Sequence, residues 1–310
     1  MARLVLLCQN PGLTDWLAAL FAEYAPHLDV MRPDDAHAQQ AEVAVCWFPP
    51  AGSLGGLPNL RLVHSIGSGV DHLAQDGSRD AQVPVCRVVD PDHTQGMSEY
   101  VHWGVLHFHR GFDQVIAGNP RQHWQRPVQR KAQDFRVGVM GLGAIGAPVA
   151  QRLAAAGYDV RGWARTPRQI DGVTTYDGAH ALQGFLAGLD VLVNLLPLTA
   201  NPHGVLNHEV FRHMATGSAL INCGRGQHLD ADDLREALAS GQLRGALLDV
   251  FEQEPLPAES PLWHTPGVWV TPHMASAASD LCIAQQVADN VSRLSAGLAL
   301  NNLVDPELGY

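Results

Sequence analysis

The sequence has little positive charge. Its 310 residues contain 20 lysines and arginines against 31 aspartates and glutamates, which gives a formal net charge of −11. A nucleic-acid-binding protein needs a basic face to neutralise phosphates, so this balance argues against a nucleic-acid partner. It does not exclude a small anionic substrate, because a few arginines in one place can outweigh the net charge.

The sequence also lacks the marks of a secreted, membrane or metal-binding protein. Its five cysteines form no close pair and no C-x-x-C, which indicates reduced thiols in the cytoplasm. No apolar run is long enough to span a bilayer, and the apolar start ends too early, at Gln9–Gly12, for a signal peptide. No H-E-x-x-H is present, and His102, His107 and His109 have no cysteine or carboxylate at ligand spacing. We therefore expect no metal site.

The length suggests about two domains. Apolar runs alternate with segments of helical periodicity, which is typical of parallel α/β domains. Strands are predicted at 4–8, 42–47, 60–65, 83–89, 136–140, 159–163, 190–196, 219–222, 246–251 and 268–271. Helices are predicted from a cap at Thr14 to Tyr24, over Thr94–Arg110, and at about 144–156, 179–186, 209–214, 231–240 and 275–297, with an irregular arm at 111–133.

The strand at 136–140 runs into a glycine-rich turn and then a helix. Gly141, Gly143 and Gly146 form G-x-G-x-x-G in this context, which predicts a dinucleotide-binding turn. Gly141 permits the tight turn, Gly143 lets the backbone approach a pyrophosphate, and Gly146 allows close helix packing. The N–H groups at the start of the helix, with Ala144 and Ile145, would face the phosphates.

The residues after the second strand of this core indicate which dinucleotide is bound. An NAD-binding fold usually places an acid there for the ribose diol, but this position holds Ala164. Arg165 and Thr166 follow, and a guanidinium with a hydroxyl suits a 2′-phosphate. We therefore predict NADP(H) rather than NAD(H). Two alternatives stay open: Asp159 as the ribose acid, although it begins the strand, and a merely solvated basic corner.

Three further stretches follow predicted strands, where open α/β sheets bind ligands. Asn222–Gly226 sets Arg225 between glycines, where it could hold a carboxylate bidentately. Leu248–Pro257 is rich in acids, and Thr271–His273 ends on a histidine suited to acid–base chemistry. A carboxylate beside that histidine would fix its tautomer and raise its pKa. With a nicotinamide site these groups make a complete set for carbonyl reduction.

The order and spacing of these stretches resemble the D-isomer-specific 2-hydroxyacid dehydrogenase family over essentially the whole chain. Within it the chain most resembles the glyoxylate/hydroxypyruvate reductase A group. The segments that carry this closer resemblance are Cys46–Pro50, Ser65–Asp71, Trp163–Thr166, Val250–Pro257 with Glu259–Trp263, and Gly309–Tyr310.

The resemblance implies a role for individual residues. Arg225 would bind the carboxylate and carbonyl oxygen of a 2-oxo acid, His273 would be the general acid, and Glu254 would orient His273. Asp249 would contact the nicotinamide carboxamide, and Trp47 would wall the substrate pocket, unless it is only a core aromatic. Further cofactor contacts would come from Leu196, Pro197 and Cys223, and amides for the substrate carboxylate from Gly67, Ser68, Gly69 and Val70.

The resemblance also implies a domain arrangement: two Rossmann-like domains, a parallel-sheet NADP-binding domain and a smaller flavodoxin-like substrate domain with the active-site cleft between them. Residues 1–92 and a C-terminal helix in 275–310 would form the substrate domain, and 93–274 the dinucleotide-binding domain. A homodimer would form through the helix and arm at 94–130, with Trp124 at the contact. One departure is Pro202, where the family usually has a second threonine after Thr199 that helps to hold the phosphates.

The sequence thus predicts a cytoplasmic NADPH-dependent reductase of small 2-oxo acids, glyoxylate and hydroxypyruvate first. Two alternatives remain. One is a dinucleotide-sensing binding protein, as corepressors that resemble this family are. The other is a dehydrogenase of a different 2-hydroxy acid. A phosphorylated substrate would need extra basic residues in the small domain, where positions 60–80 offer only Arg61 and Arg79.

Overall fold

The protein folds into two compact units, each built on a parallel β-sheet. The computed structural model describes residues 2–198 and 204–305, without the side chain of Gln75. Unit 1 comprises the described residues up to His93 and from Ala277 onward, and unit 2 those within Thr94–Ser276. The expected α/β fold with two parallel-sheet units is confirmed. Among the described residues, no helix has both the length and the apolarity to cross a bilayer.

Regular elements alternate along the described chain. The strands are β1 (Arg3–Cys8), β2 (Asp29–Met31), β3 (Val43–Trp47), β4 (Leu62–Ser65), β5 (Val85–Cys86), β6 (Arg136–Met140), β7 (Asp159–Ala164), β8 (Thr174–Asp177), β9 (Val191–Asn194), β10 (Ser218–Asn222), β11 (Leu243–Leu248) and β12 (Val268–Val270). The α-helices are α1 (Pro11–Tyr24), α2 (Pro91–His109), α3 (Phe112–Gly118), α4 (Gly146–Ala155), α5 (Leu182–Leu186), α6 (His208–His213), α7 (Ala231–Ser240) and α8 (Asp280–Ala296).

The sheet of unit 1 has the order β2-β1-β3-β4-β5. Its central strands are apolar because both faces are covered, as parallel sheets require. On one face, Leu4, Leu6 and Val45 pack with Phe21 of α1 and Val287 of α8. Because α8 packs into this core, the last described helix is part of unit 1.

The sheet of unit 2 has the order β12-β11-β10-β9-β6-β7-β8. The last residues of neighbouring strands stand level with one another: Met140 pairs with Asn194, Asn194 with Asn222, Asn222 with Leu248, and Leu248 with Val270. Each of these strands is followed directly by a stretch that the sequence singled out. The register therefore brings those stretches to one edge of the sheet.

The first helix begins earlier than predicted. Asn10, not Thr14, is the cap, and its side-chain oxygen accepts a hydrogen bond from the Gly12 amide at 2.9 Å. Pro11 then occupies the first helical position, where its missing N–H costs nothing. Thr14 lies inside the helix and is buried.

Three other predictions of local structure were wrong. β2 and β8 were missed because they are short edge strands with few buried apolar residues. The strand predicted at 83–89 is only the two-residue β5. The arm at 111–133 is not irregular throughout, since α3 forms after Gly111, which adopts a φ of 73°.

The C-terminal helix begins at Asp280, five residues later than about Ala275. The Ala275 amide donates to the Asp249 carboxylate at 2.9 Å. The Ser279 amide and hydroxyl donate to the Asp90 carboxylate at 2.7 and 3.0 Å. These bonds hold the ends of the segment 275–279 outside the helix.

Candidate active site

Of the three glycines in the turn, only Gly143 leaves open space for a ligand. This is the position at which the sequence predicted a close approach to a pyrophosphate. A Cβ on Gly141, whose φ is 102°, would lie 2.8 Å from the Leu195 carbonyl oxygen, and a Cβ on Gly146 would lie 1.8 Å from the Gly141 oxygen. Gly143 differs, because no heavy atom lies within 4 Å of its Cβ position. The first turn of α4 therefore presents an open, glycine-lined cradle that fits a dinucleotide pyrophosphate. Next to Gly143, Ala144 is exposed and Ile145 half-buried.

The end of β7 carries the residues expected at the adenosine ribose. Ala164 is buried, whereas Arg165 and Thr166 are exposed directly after it. Asp159 begins the same strand and forms an ion pair with Arg136 at 2.7 Å. Five residues of strand put it about 16 Å from Ala164, so Asp159 cannot be the ribose acid.

The loop after β9 and the thiol after β10 lie at the same edge of the sheet. Leu196 is half-buried and Pro197 exposed, and the Leu196 amide donates to Asn194 Oδ1 at 3.3 Å. Cys223 is buried, and burial together with the charge of Asp249 raises the pKa of its thiol well above the ordinary value. The thiol therefore stays protonated and acts as a small packing group.

A histidine and a glutamate form the centre of the site. His273 Nδ1 lies 2.7 Å from Glu254 Oε2, and the two side chains are 36% and 29% exposed. Glu254 Oε1 also accepts from the Phe251 amide at 2.9 Å. Burial raises the pKa of Glu254, but hydrogen bonds from His273 and Phe251 and the charges of His273 and Arg225 outweigh it, so the pKa falls below its ordinary value. The carboxylate thus fixes the ring and leaves Nε2 for a ligand.

Arg225 lies between two glycines at positions where a side chain would clash. A Cβ on Gly226 would lie 1.8 Å from the Phe251 carbonyl carbon, and one on Gly224 would lie 2.6 Å from Asn194 Nδ2. The Arg225 side chain is half-buried, and its Nη1 donates to the Gly224 carbonyl at 2.8 Å. Because Gly226 packs directly on the backbone of Phe251 and Glu252, the Arg225 loop lies beside the segment that carries Glu254, and the charge of Arg225 helps to lower the pKa of Glu254.

Asp249 holds the loop that carries His273. One carboxylate oxygen accepts from the Thr271 hydroxyl at 2.6 Å and the Met274 amide at 2.9 Å, and the other accepts from the Ala275 amide. The Asp249 carbonyl accepts from the His273 amide at 2.9 Å, and His273 has a φ of 51°. The carboxylate thus accepts three hydrogen bonds from the chain, and the contact with the nicotinamide that the resemblance implied stays a prediction.

The expected substrate residues of unit 1 lie around the turn after β4. The ring of Trp47 is half-buried, and a Cβ on Gly67 would lie 2.5 Å from it. Trp47 therefore walls this turn and also packs against the core of unit 1. The Gly67 amide departs from its expected role because it donates to the Ser65 hydroxyl at 3.1 Å.

The turn still offers donors. Within the described chain, no hydrogen bond is seen from the backbone amides of Ser68, Gly69 and Val70. Thr199, Pro202 and Gly309–Tyr310 lie outside the described residues.

Sequence reasoning missed three polar residues that support the site. Asn194 and His228 are fully buried beside the Arg225 loop, and the Tyr100 hydroxyl lies 2.5 Å from that of Thr271. A polar residue closing an apolar strand, as in Val191–Asn194, was the available signal for the first. The other two come from elements whose neighbours the sequence does not reveal.

Comparisons with known proteins show which family the chain belongs to. The family model described as "D-isomer specific 2-hydroxyacid dehydrogenase, NAD binding domain" matches residues 103–275. A curated relative from Serratia proteamaculans (strain 568), named glyoxylate/hydroxypyruvate reductase A, is 40% identical over 302 residues, which cover 96% of each chain.

Solved structures are similar over the full length. A D-isomer specific 2-hydroxyacid dehydrogenase from Xanthobacter autotrophicus Py2, in complex with NADPH and MES, has a TM-score of 0.90 at 41% identity and covers 100% of this chain and 99% of its own. An NADPH-dependent glyoxylate/hydroxypyruvate reductase from Sinorhizobium meliloti, in complex with NADP and sulfate, has a TM-score of 0.91 at 35% identity and covers 100% of both chains. The chain belongs to the D-isomer-specific 2-hydroxyacid dehydrogenase family.

Proposed function

We propose that this protein reduces small 2-oxo acids with NADPH, converting glyoxylate to glycolate and hydroxypyruvate to D-glycerate. The observation that carries the proposal is the cluster of Arg225, Glu254 and His273, with His273 Nδ1 held 2.7 Å from Glu254. A cation, a general acid and an open dinucleotide cradle in one unit are the groups that carbonyl reduction needs. The names of the relatives from Serratia and Sinorhizobium support the choice of substrates.

Each residue of the cluster has a distinct task. Arg225 binds the substrate carboxylate and carbonyl oxygen, which holds the carbonyl in place and polarises it. The reduced nicotinamide, when bound, supplies a hydride to the carbonyl carbon. His273 donates a proton from Nε2 to the carbonyl oxygen, so that an alcohol is formed. Glu254 keeps the ring oriented and stabilises its charged form.

Several residues favour NADPH over NADH. Arg165 and Thr166 are exposed at the end of β7, and Ala164 stands where a ribose-binding acid would be. A guanidinium forms charge-assisted hydrogen bonds with a 2′-phosphate, whereas alanine offers nothing to a diol. The NADPH and NADP complexes of the Xanthobacter and Sinorhizobium proteins support this cofactor.

The substrate side is proposed to be small and unphosphorylated. The amides of Ser68, Gly69 and Val70 would bind the carboxylate. The two arginines at positions 60–80 are engaged elsewhere, since Arg61 pairs with Glu42 at 2.9 Å and Arg79 donates to the Val83 carbonyl at 2.7 Å. Neither is therefore available for a substrate phosphate.

We also propose that the protein is a cytoplasmic homodimer without a nucleic-acid partner. Large apolar side chains are exposed along α2, α3 and the following arm, including Trp103 at 47%, Phe112 at 53% and Trp124 at 101%. Such a patch is unusual on a monomer and suits a second copy of the chain. The five cysteines are free thiols, as a reducing compartment favours.

The test is consumption of NADPH, and separately of NADH, by the purified protein with glyoxylate, hydroxypyruvate and pyruvate. Turnover with NADPH and the first two acids is expected, and Arg225→Ala serves as the inactive control. Tight NADPH binding without turnover of any 2-oxo acid would favour a dinucleotide-sensing protein instead. Sedimentation of the intact protein tests the dimer.

A further inference from the structure

We propose that His228 is a positioning residue for Arg225, and that Asn194 fixes His228 in the ring state this task requires. Neither residue is among those that the proposed reaction uses directly. The inference rests on the proposed function, because it assigns to Arg225 the binding of the 2-oxo acid.

The ring state of His228 follows from its neighbours. Nδ1 faces two N–H donors, the Arg225 amide at 3.2 Å and Asn194 Nδ2 at 2.8 Å. A ring nitrogen that faces donors must itself be an acceptor, so Nδ1 carries no proton and the neutral ring is protonated on Nε2. The orientation of Asn194 is set independently, because its Oδ1 accepts from the Leu196 amide.

The backbone of Arg225 is held on both sides by buried side chains. His228 accepts from the Arg225 amide, and Asn222 Nδ2 donates to the Arg225 carbonyl at 3.2 Å. Asn222 Oδ1 in turn accepts from Asn194 at 2.9 Å and from the Gly224 amide at 3.2 Å. His228, Asn194 and Asn222 are all 0% exposed. Because water cannot replace a lost bond there, removing one acceptor leaves buried donors unsatisfied and lets the arginine loop shift.

Asn194 also reaches the loop expected to bind the cofactor. Its Oδ1 holds Leu196 and its Nδ2 holds His228 and Asn222, so one side chain joins the loops after β9 and β10. The two residues should therefore differ in effect. A change at His228 should affect the 2-oxo acid alone, whereas a change at Asn194 should affect the 2-oxo acid and NADPH together.

The backbone around His228 has its own support. The His228 carbonyl accepts from the Leu206 amide at 2.8 Å, and the Leu229 amide donates to the Gly226 carbonyl at 2.9 Å. These bonds do not involve the ring. A substitution of the ring should therefore leave the path of the chain intact and change mainly the hold on Arg225.

The experiment compares His228→Leu, which removes the acceptor, with His228→Asn, whose Oδ1 can take the place of Nδ1. We expect His228→Leu to lower kcat/KM for glyoxylate at least tenfold while the Kd of NADPH stays within twofold. His228→Asn should recover most of the loss. His228→Gln keeps a polar group but places it beyond Nδ1, so it should behave like the leucine variant and replaces it if that protein does not fold.

A double-mutant cycle separates positioning from a general structural role. In an Arg225→Lys background, His228→Leu should lower kcat/KM less than twofold, because the guanidinium whose placement depends on His228 is already absent. An equal cost in both backgrounds, or no cost in the original one, would overturn the inference. Absence of turnover by the unaltered protein would overturn the proposed function, and this inference with it.

Discussion

Glu254 Oε2 lies 2.7 Å from Nδ1 of His273, and its other carboxylate oxygen is held by the Phe251 amide. Each carboxylate oxygen thus accepts a hydrogen bond from the chain. This geometry makes Glu254 the orienting partner of the histidine. The pKa of Glu254 is lowered, so the pair persists at pH values below the ordinary range for a glutamate.

Glu254→Gln should therefore remove the charge beside His273 while keeping the shape. We expect kcat/KM for glyoxylate reduction to fall by roughly 10² or less, since general acid catalysis contributes about 10²–10⁴ in total. An unchanged kcat/KM would argue that the carboxylate only packs against the ring.

Arg225→Ala should lower turnover of 2-oxo acids by roughly 10²–10³, the effect of removing one group that stabilises a developing oxyanion. NADPH binding, measured by fluorescence titration, should stay nearly unchanged because the cradle lies at the start of α4. Equal loss of turnover and of NADPH binding would mean that the arginine supports the fold of its loop instead.

Arg165→Ala should raise KM for NADPH by roughly tenfold or more and leave KM for NADH unchanged, because a charge-assisted hydrogen bond contributes about 1.5–3 kcal/mol. Arg235→Ala is the matched control, since Arg235 is an exposed arginine on α7 that pairs with Asp232. An equal effect on the KM values for NADPH and NADH would mean that Arg165 is a solvated surface residue that does not contact the 2′-phosphate.

His64 should make the stability of unit 1 depend on pH. It is fully buried, donates from Nδ1 to the Ser65 carbonyl and accepts at Nε2 from Asn290, and burial lowers its pKa from 6.5 to about 4. At a pH between these two pKa values, His64 is protonated in the unfolded chain and neutral in the folded chain. Stability contributed by the neutral ring is therefore complete above pH 6.5 and is lost as the pH falls toward 4, by about 3 kcal/mol.

His64→Gln should flatten this dependence in urea unfolding monitored between pH 7 and 4. His27→Gln is the control, because His27 is exposed and should leave the slope unchanged. The same slope in both variants would show that other groups cause the acid sensitivity.

The parts of the site that depend on backbone geometry were predictable from the sequence. Arg225 between glycines and His273 after proline each carry a local signature, and both lie in the predicted cluster with Glu254. His228 carries none, and the polar end of Val191–Asn194 does not reveal what Asn194 contacts, because the roles of both residues depend on β9 lying beside β10. That neighbour relation is set by packing across the sheet and not by the local pattern.

The starting points of the helices also divide into those that a local pattern determines and those that it does not. Asn10 and Thr14 are both able to cap a helix, and the choice is decided by Pro11, which favours the first turn. The late start of α8 was not predictable, because it depends on Asp90 and Asp249 capturing amides from a distant part of the chain. Interactions between remote segments decide where such elements begin.

The level ends of β6, β9, β10 and β11 have an evolutionary consequence. The glycine cradle, the Leu196 loop, Arg225 and Asp249 each follow their strand by only one to three residues. A change in the length of one such loop would alter the functional group that this loop supplies and would leave the strand pairing intact. A deletion within a strand would instead turn every later side chain of that strand to the opposite face. New substrate preferences can therefore evolve in this fold through short insertions in one loop at a time.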